Sequence, residues 1–175
     1  MRPLTVPTSA AGPGRRAWEA GGRPGAAARV ARAMSTSPTG PGLAYSVTPL
    51  VRKLGFAPGM RAVLLDAPEG FEALVGPLPE GVTVARRLGP GEDLVMAFVT
   101  SRAVLARRVV ALRRAIAPAG MAWIAWPKRA SGVATDVTED VVREVALPAG
   151  LVDVKVCAID ATWSGLKLVV RRELR

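Results

Sequence analysis

Apolar positions between residues 91 and 133 form two dense runs, which predict a strand, a helix and a second strand. Leu94 to Val99 form the first run, and Met121 to Trp126 form the second. Unbroken runs of this kind are typical of strands that are buried on both faces of a parallel sheet. The intervening segment is long enough for the crossover helix that two parallel strands require.

The segment between these runs has the period of an amphipathic helix. Its apolar residues recur at i, i+4, i+7 and i+11, namely at Leu105, Val109, Leu112 and Ile116. Four arginines lie off this stripe: Arg107, Arg108, Arg113 and Arg114. The stripe predicts one buried helix face, and Pro118–Gly120 is expected to break the chain before the second strand.

Shorter apolar runs predict four further strands around this central unit. They are Arg61 to Leu65, Val82 to Arg86, Val152 to Ile159, and Gly165 to Arg171. Only residues 160–164 separate the last two runs, so these strands are expected to form an antiparallel hairpin.

Capping residues predict where the remaining helices begin and end. Thr48 is the expected N-cap of a short helix that Gly55 closes, and Asp136 is the expected N-cap of a helix that continues to about Leu147. A weak helix is expected from about Phe71. The fold class predicted is α/β and Rossmann-like: a mostly parallel sheet with a C-terminal antiparallel hairpin and helices on both faces.

Composition predicts one folded domain preceded by a tail. Residues 1–42 are rich in Gly, Pro, Ala and Arg and are expected to be disordered, whereas residues 43–175 are expected to form the domain. Residues 1–33 contain six arginines and one acidic residue, so they supply half of the net charge of +10. We hypothesise that Met34 is the true start of the protein.

The residue types that are absent or rare exclude several classes of chemistry. The chain has no histidine, which removes Ser-His and Cys-His nucleophile pairs and most zinc sites. Cys157 is the single cysteine and lies in an apolar run, so a buried thiol in a reducing cytoplasm is expected. No apolar stretch approaches the ~18 residues of a membrane span, so no membrane insertion is expected.

The order of elements resembles the fold of class I S-adenosylmethionine-dependent methyltransferases over about residues 54–172. Leu54 to Leu65 is similar to that family's entry into the first strand. Gly91 to Ile124 is similar to its central strand, helix and following strand, and Ala149 to Val154 with the closing hairpin is similar to its last two strands. One strand of the family pattern is missing after Arg86.

Three blocks resemble an uncharacterised bacterial family that is known only as a domain of unknown function. They are Tyr45 to Gly55 (YSVTPLVRKLG), Trp126 to Asp136 (WPKRASGVATD) and Ile159 to Leu166 (IDATWSGL). This resemblance implies no activity.

Polar residues follow each predicted strand, where open α/β sheets bind ligands. The candidate ligand-binding residues are Asp66, Glu69, Gly70, Arg86, Thr100, Ser101, Lys128, Ser131, Asp160, Trp163 and Ser164. No metal ligands and no catalytic residues are assigned. The centre of the site is expected at Lys128, facing Asp66 and Glu69.

Two departures from the methyltransferase pattern disfavour S-adenosylmethionine as a cofactor. The turn after the first strand contains the stiff Pro68 and one glycine, where the family has several glycines. The second strand ends at Arg86 and Arg87, where the family has a carboxylate that accepts hydrogen bonds from the ribose; arginine cannot accept them. Arginine in this place is suited to a phosphate.

Local alternatives remain open at two places. Lys128 and Ser131 form either an anion pocket or a solvated loop, and a lysine–serine nucleophile pair has no support from the sequence. Asp160 and Trp163 either contact a ligand or close the hairpin turn and cover the core.

Three functions are compatible with these features. The preferred one is a non-catalytic, methyltransferase-like domain that binds a small anionic ligand or a protein partner at the strand ends. The alternatives are an active transferase with an altered S-adenosylmethionine pocket and a basic protein that associates weakly with nucleic acid. Few aromatic residues are available for base stacking, so specific nucleic-acid binding is not expected.

Overall fold

A computed structural model describes residues 48–175 of the chain. The predicted tail, the proposed start at Met34 and Tyr45 of the first family block lie outside the described residues. The division of the chain at residue 42 therefore stays a prediction.

Six strands and four α-helices make up the described residues. The strands are β1 (Arg61–Leu65), β2 (Thr83–Ala85), β3 (Glu92–Phe98), β4 (Ile116–Pro127), β5 (Leu151–Ala158) and β6 (Trp163–Val170). The helices are α1 (Leu50–Leu54), α2 (Phe71–Val75), α3 (Arg102–Ala115) and α4 (Glu139–Ala146).

All six strands belong to one sheet with the order β2-β1-β3-β4-β6-β5. β1 to β4 run parallel, and β6 is antiparallel to both β4 and β5. The predicted fold class, including the C-terminal hairpin, is confirmed. β2 is an edge strand, and no strand among residues 48–175 lies beyond it, in agreement with the strand predicted to be missing after Arg86.

The sheet separates two layers of buried side chains, one on each face. α3 and α4 contribute to the first layer, where Leu105, Val109 and Leu112 form the predicted stripe. α1 and α2 contribute Leu54 and Phe71 to the second layer. Helices therefore cover both faces, as the apolar pattern predicted.

The end of α3 and the start of β4 differ from the prediction. Ile116 is buried as expected, but it is the first residue of β4, because α3 ends at Ala115. Pro118–Gly120 lies within β4 and does not precede it. Glu92 pairs with Ile116, and Leu94 pairs with Met121. Residues 117–120 therefore form a bulge in β4, and the pairing with β3 continues on both sides of it.

The first helix has the predicted end but a different start. Gly55 adopts a left-handed conformation with φ 91°, which closes α1 as expected. Pro49 occupies the N-cap position, and no side chain caps the helix, so the prediction for Thr48 is wrong.

Asp136 caps a different helix from the one predicted. Thr138 is the N-cap of α4, where its Oγ1 accepts a hydrogen bond from the Val141 amide at 3.3 Å. The Asp136 carboxylate instead accepts the Arg102 amide at 2.6 Å, at the first residue of α3. A residue in the loop before α4 therefore satisfies a free donor at the start of α3.

Replacing Asp136 with alanine is expected to destabilise the protein by about 1 kcal/mol, because the Arg102 amide loses its acceptor. The measurement is the urea midpoint of unfolding. Asp140→Ala is the control, since this side chain is 95% exposed and makes a long contact of 3.6 Å with Arg143. Equal midpoints for the two variants would contradict the capping role.

Cys157 is less buried than predicted. Its thiol is partly exposed because β5 is an edge strand of the sheet. Among the helices between residues 48 and 175, none has the length and apolar character needed to cross a membrane.

Candidate functional site

The carboxyl ends of β1 to β5 meet at one edge of the sheet, because these strands point in the same direction. β6 begins at this edge. The loops here carry every candidate residue: Asp66, Glu69 and Gly70 after β1, Arg86 after β2, Thr100 and Ser101 after β3, Lys128 and Ser131 after β4, Asp160 after β5, and Trp163 and Ser164 at the start of β6. The topology therefore brings the predicted residues to one side of the molecule.

The strand order reverses between β1 and β3, where open α/β sheets have their ligand-binding crevice, and an ion pair lies at this position. Asp66 directly follows β1, and its carboxylate pairs with Arg108 of α3. Asp66 is the only non-glycine residue between 48 and 175 with a positive φ, at 50°. A carboxylate held in this backbone conformation marks a position where the surrounding structure fixes the chain.

Arg108 is a residue of this crevice that sequence reasoning missed. Its off-stripe position on α3 predicted a solvent-facing side chain, but the side chain is only 25% exposed. Its Nη1 atom is buried and has no hydrogen-bond partner among the described residues. An unsatisfied buried donor costs free energy, so Arg108 has capacity for one further acceptor.

A second ion pair closes the end of β2. Arg86 donates to the Glu72 carboxylate of α2 at 2.5 Å, and both side chains are largely exposed. Arg86 and Glu72 line a cavity of about 400 Å³ together with Glu69 and Gly70. The edge next to β2 is therefore polar, and its arginine already has an acidic partner.

A cleft of about 330 Å³ lies between the loop after β1 and the hairpin of β5 and β6. Four candidate residues line it: Glu69, Gly70, Asp160 and Trp163. Trp163 packs edge-to-face on Phe98 with a centroid distance of 5.0 Å. The cleft combines an aromatic wall with two carboxylates at its rim.

Asp160 and Trp163 also have the structural roles that the sequence left open. The Asp160 carboxylate accepts the amides of Thr162 at 2.7 Å and Trp163 at 2.6 Å, which closes the hairpin turn. Trp163 packs against the buried layer that includes Phe98. Both residues therefore shape the cleft even without a ligand.

Lys128 is bonded to the hairpin of β5 and β6, and its expected position facing Asp66 and Glu69 stays a prediction. Its ammonium group donates to the Asp160 carbonyl, and its amide donates to the Thr162 carbonyl at 2.7 Å. Lys128 thus fastens the loop after β4 to the turn of the hairpin and is not part of the cleft lining.

Ser131, Thr100 and Ser101 are the remaining candidate residues in the loops of the carboxyl edge. The Ser131 hydroxyl donates to the Lys128 carbonyl at 2.7 Å, and the Lys128 ammonium group donates to the Asp160 carbonyl, so the two side chains do not form a nucleophile pair. The Thr100 carbonyl accepts from Thr135 Oγ1 at 2.8 Å. Ser101 is the N-cap residue of α3, but its side chain makes no capping bond.

Residues 48–175 contain no group of three or more His, Cys, Asp or Glu side chains that could hold a metal ion. Three of the five arginines of α3 are engaged in internal contacts. Arg102 pairs with Glu144, Arg108 pairs with Asp66, and Arg113 donates to the Leu174 carbonyl. These contacts reduce the positive charge that α3 presents to a nucleic acid.

Comparison with solved structures relates this fold to methyltransferases. An S-adenosylmethionine-dependent methyltransferase from Aquifex aeolicus aligns with a TM-score of 0.53 and 14% identity, over 69% of this chain and 88% of that one. The fibrillarin pre-rRNA processing protein of Methanococcus jannaschii aligns with a TM-score of 0.50 and 13% identity, over 71% of this chain and 70% of that one.

A candidate exported protein from Bordetella parapertussis aligns with a TM-score of 0.52 and 12% identity, over 70% of this chain and 66% of that one. No family model matches the sequence, and no curated protein matches it either. Likeness at these identities establishes a methyltransferase-like fold, and fold by itself does not determine function.

Proposed function

We propose that this chain is a non-catalytic, methyltransferase-like domain that binds a small anionic ligand, or an acidic group of a protein partner, at the carboxyl edge of its sheet. The observation that carries the proposal is Arg108, whose guanidinium group lies at the point where the strand order reverses and whose Nη1 lacks an acceptor. We further propose that the chain belongs to the uncharacterised bacterial family whose three sequence blocks it resembles.

The residues at two positions do not fit S-adenosylmethionine. A glycine-rich turn after β1 would let the backbone approach the cofactor, but here Pro68 stiffens the turn and Asp66 is paired with Arg108. A carboxylate at the end of β2 would hold the ribose hydroxyls, but Arg86 occupies that place and pairs with Glu72. Arginine has only donors and cannot replace a carboxylate as an acceptor.

The crevice is suited to an anion because the guanidinium group of Arg108 already binds one negatively charged group there, the carboxylate of Asp66. The Asp66 carboxylate neutralises Arg108 in the free protein and leaves one guanidinium nitrogen without a partner. A ligand carboxylate or phosphate can bind a guanidinium group through two parallel hydrogen bonds. In this proposal Asp66 competes with the ligand for Arg108.

Native mass spectrometry of the full chain purified from its own host tests the proposal. We expect a bound anionic molecule, loss of that molecule in Arg108→Met, and increased occupancy in Asp66→Asn, which removes the competing charge. Arg107→Met is the matched control, because Arg107 is the neighbouring residue of α3 and is exposed. Equal occupancy in Arg108→Met and Arg107→Met would contradict the proposal.

An active transferase with an altered cofactor pocket is the second candidate. The cavity of about 400 Å³ beside β2 favours it, because Gly70 and the end of β2 both line the place where a nucleoside would lie in this fold. Isothermal titration calorimetry with S-adenosylmethionine and its demethylated product separates the two candidates. We expect no heat of binding up to about 1 mM, whereas a Kd of about 1–10 μM would favour the transferase.

A further inference from the structure

Two lysines lie directly opposite each other on the strand pair of β5 and β6. Lys155 of β5 is the pairing partner of Lys167 of β6, so both side chains leave the same face of the sheet. This is the face that α1 and α2 cover, since the Lys155 ammonium group lies 5.8 Å from the ring centroid of buried Trp123. The pair is remote from the loops of the carboxyl edge.

A bulge in β5 creates this arrangement. Asp153 pairs with Leu168, and the next pair along the strands is Lys155 with Lys167, so Val154 is an extra residue in β5. In a regular strand, residues two positions apart share a face. The extra residue turns Lys155 to the face opposite Asp153, whose carboxylate binds Arg143 of α4 at 2.9 Å. The bulge thus separates Lys155 from the nearest acid of its own strand and places it beside a second lysine.

Neither lysine has an acidic partner among residues 48–175. In every ion pair between residues 48 and 175 the positive side chain is an arginine. The Lys155 ammonium group donates to the Lys53 carbonyl at 2.9 Å, at the end of α1. The Lys167 ammonium group lies beside Gly55, at 4.0 Å from the position that a Cβ would take there.

Like charges directly opposite each other destabilise a sheet. At Lys167, burial of the ammonium group and, to a smaller extent, the positive charge of Lys155 lower the pKa. One hydrogen bond to a backbone carbonyl leaves most of the donors of this pair free. A bound anion would supply the missing negative charge and accept these donors.

We propose that Lys155 and Lys167, beside the end of α1, form a binding site for the phosphate group of a small molecule. Phosphate is the chemistry that this geometry suits, because a compact dianion can accept hydrogen bonds from two ammonium groups at once. The site is independent of the carboxyl edge and of Arg108. It uses two lysines that have no acidic partner in the described part of the chain.

Thermal unfolding of the full chain with inorganic phosphate, at constant ionic strength, tests this site. For the unaltered protein we expect Tm to rise by roughly 3–6 °C when phosphate is about tenfold above its Kd. Lys155→Met and Lys167→Met are each expected to lose this rise. Lys167→Met is also expected to have a higher Tm than the unaltered protein without phosphate, because the repulsion is gone.

The control variant is Arg114→Gln, which removes an exposed charge from α3 and is expected to keep the full phosphate effect. A purely structural role for the lysines predicts a lower Tm in Lys167→Met and an unchanged response to phosphate in both variants. That result, or no rise in the unaltered protein, would overturn the proposal. Binding of a single-stranded RNA at about 0.15 M salt that disappears in both lysine variants would overturn the small-molecule assignment.

Discussion

Replacing Trp123 with alanine is expected to lower the free energy of unfolding by about 3–5 kcal/mol. The Trp123 side chain is fully buried in β4, at 0% exposure, and fills the layer between the sheet and α1. Its Nε1 donates to the Leu54 carbonyl at 2.8 Å, at the last residue of α1. The substitution therefore opens a large cavity and leaves a buried carbonyl without its donor.

Urea unfolding followed by far-ultraviolet circular dichroism measures this effect. Trp123→Phe is the matched variant, because it keeps an aromatic ring in the layer and removes the indole N–H. We expect this variant to cost about 1–3 kcal/mol, which is the penalty for an unsatisfied buried group. A loss in Trp123→Ala no greater than in Trp123→Phe would show that the cavity term is absent.

Replacing Gly120 with alanine is expected to cost about 1–3 kcal/mol by overpacking. A Cβ at this position would lie 2.6 Å from the Glu92 carbonyl oxygen and 3.1 Å from the carbonyl oxygens of Ala117 and Asp93. All three contacts are with backbone atoms, so no side chain can rotate away. The bulge in β4 would have to separate from β3, the strand that lies between β1 and β4 in the sheet.

Ala119→Ser is the matched control for this substitution, since Ala119 is the preceding residue of the bulge and is exposed. It is expected to change the free energy of unfolding, measured by urea denaturation, by less than about 0.5 kcal/mol. Equal midpoints for the two variants would mean that the backbone of the bulge adapts to a Cβ without strain.

The parts of the fold that the sequence predicts are those that depend on local periodicity. Leu94 to Val99 form a continuous apolar run because both faces of this strand are buried. Leu105, Val109 and Leu112 form a stripe because one face of the helix is buried. The bulge at residues 117–120 does not follow from periodicity. It depends on the register between β3 and β4, and pairing between strands that are distant along the chain has no local sequence signal.

The sequence predicts which edge of the sheet carries the candidate residues, but it does not predict which of their side chains contact one another. The topology fixes which loops share an edge, so placing Glu69, Asp160 and Trp163 near one another required only the strand order. The choice of ion-pair partners is different. Asp66 and Arg108 are 42 residues apart, and the rotation of α3 about its axis decides which of its arginines reaches the crevice. A helical pattern alone does not resolve that rotation between adjacent arginines.

The hydrogen bond from the Arg102 amide to Asp136 joins residues that are 34 positions apart, and this separation bears on the order of folding. During synthesis the residues of α3 are made before its cap. We expect the first turn of α3 to gain this acceptor late in folding, because the loop that carries Asp136 follows β4 in the chain. We expect Asp136→Ala to accelerate unfolding and to leave the refolding rate nearly unchanged, because a contact made late is absent from the transition state. In kinetic terms, this carboxylate is expected to slow the unfolding of α3 and to contribute little to its formation.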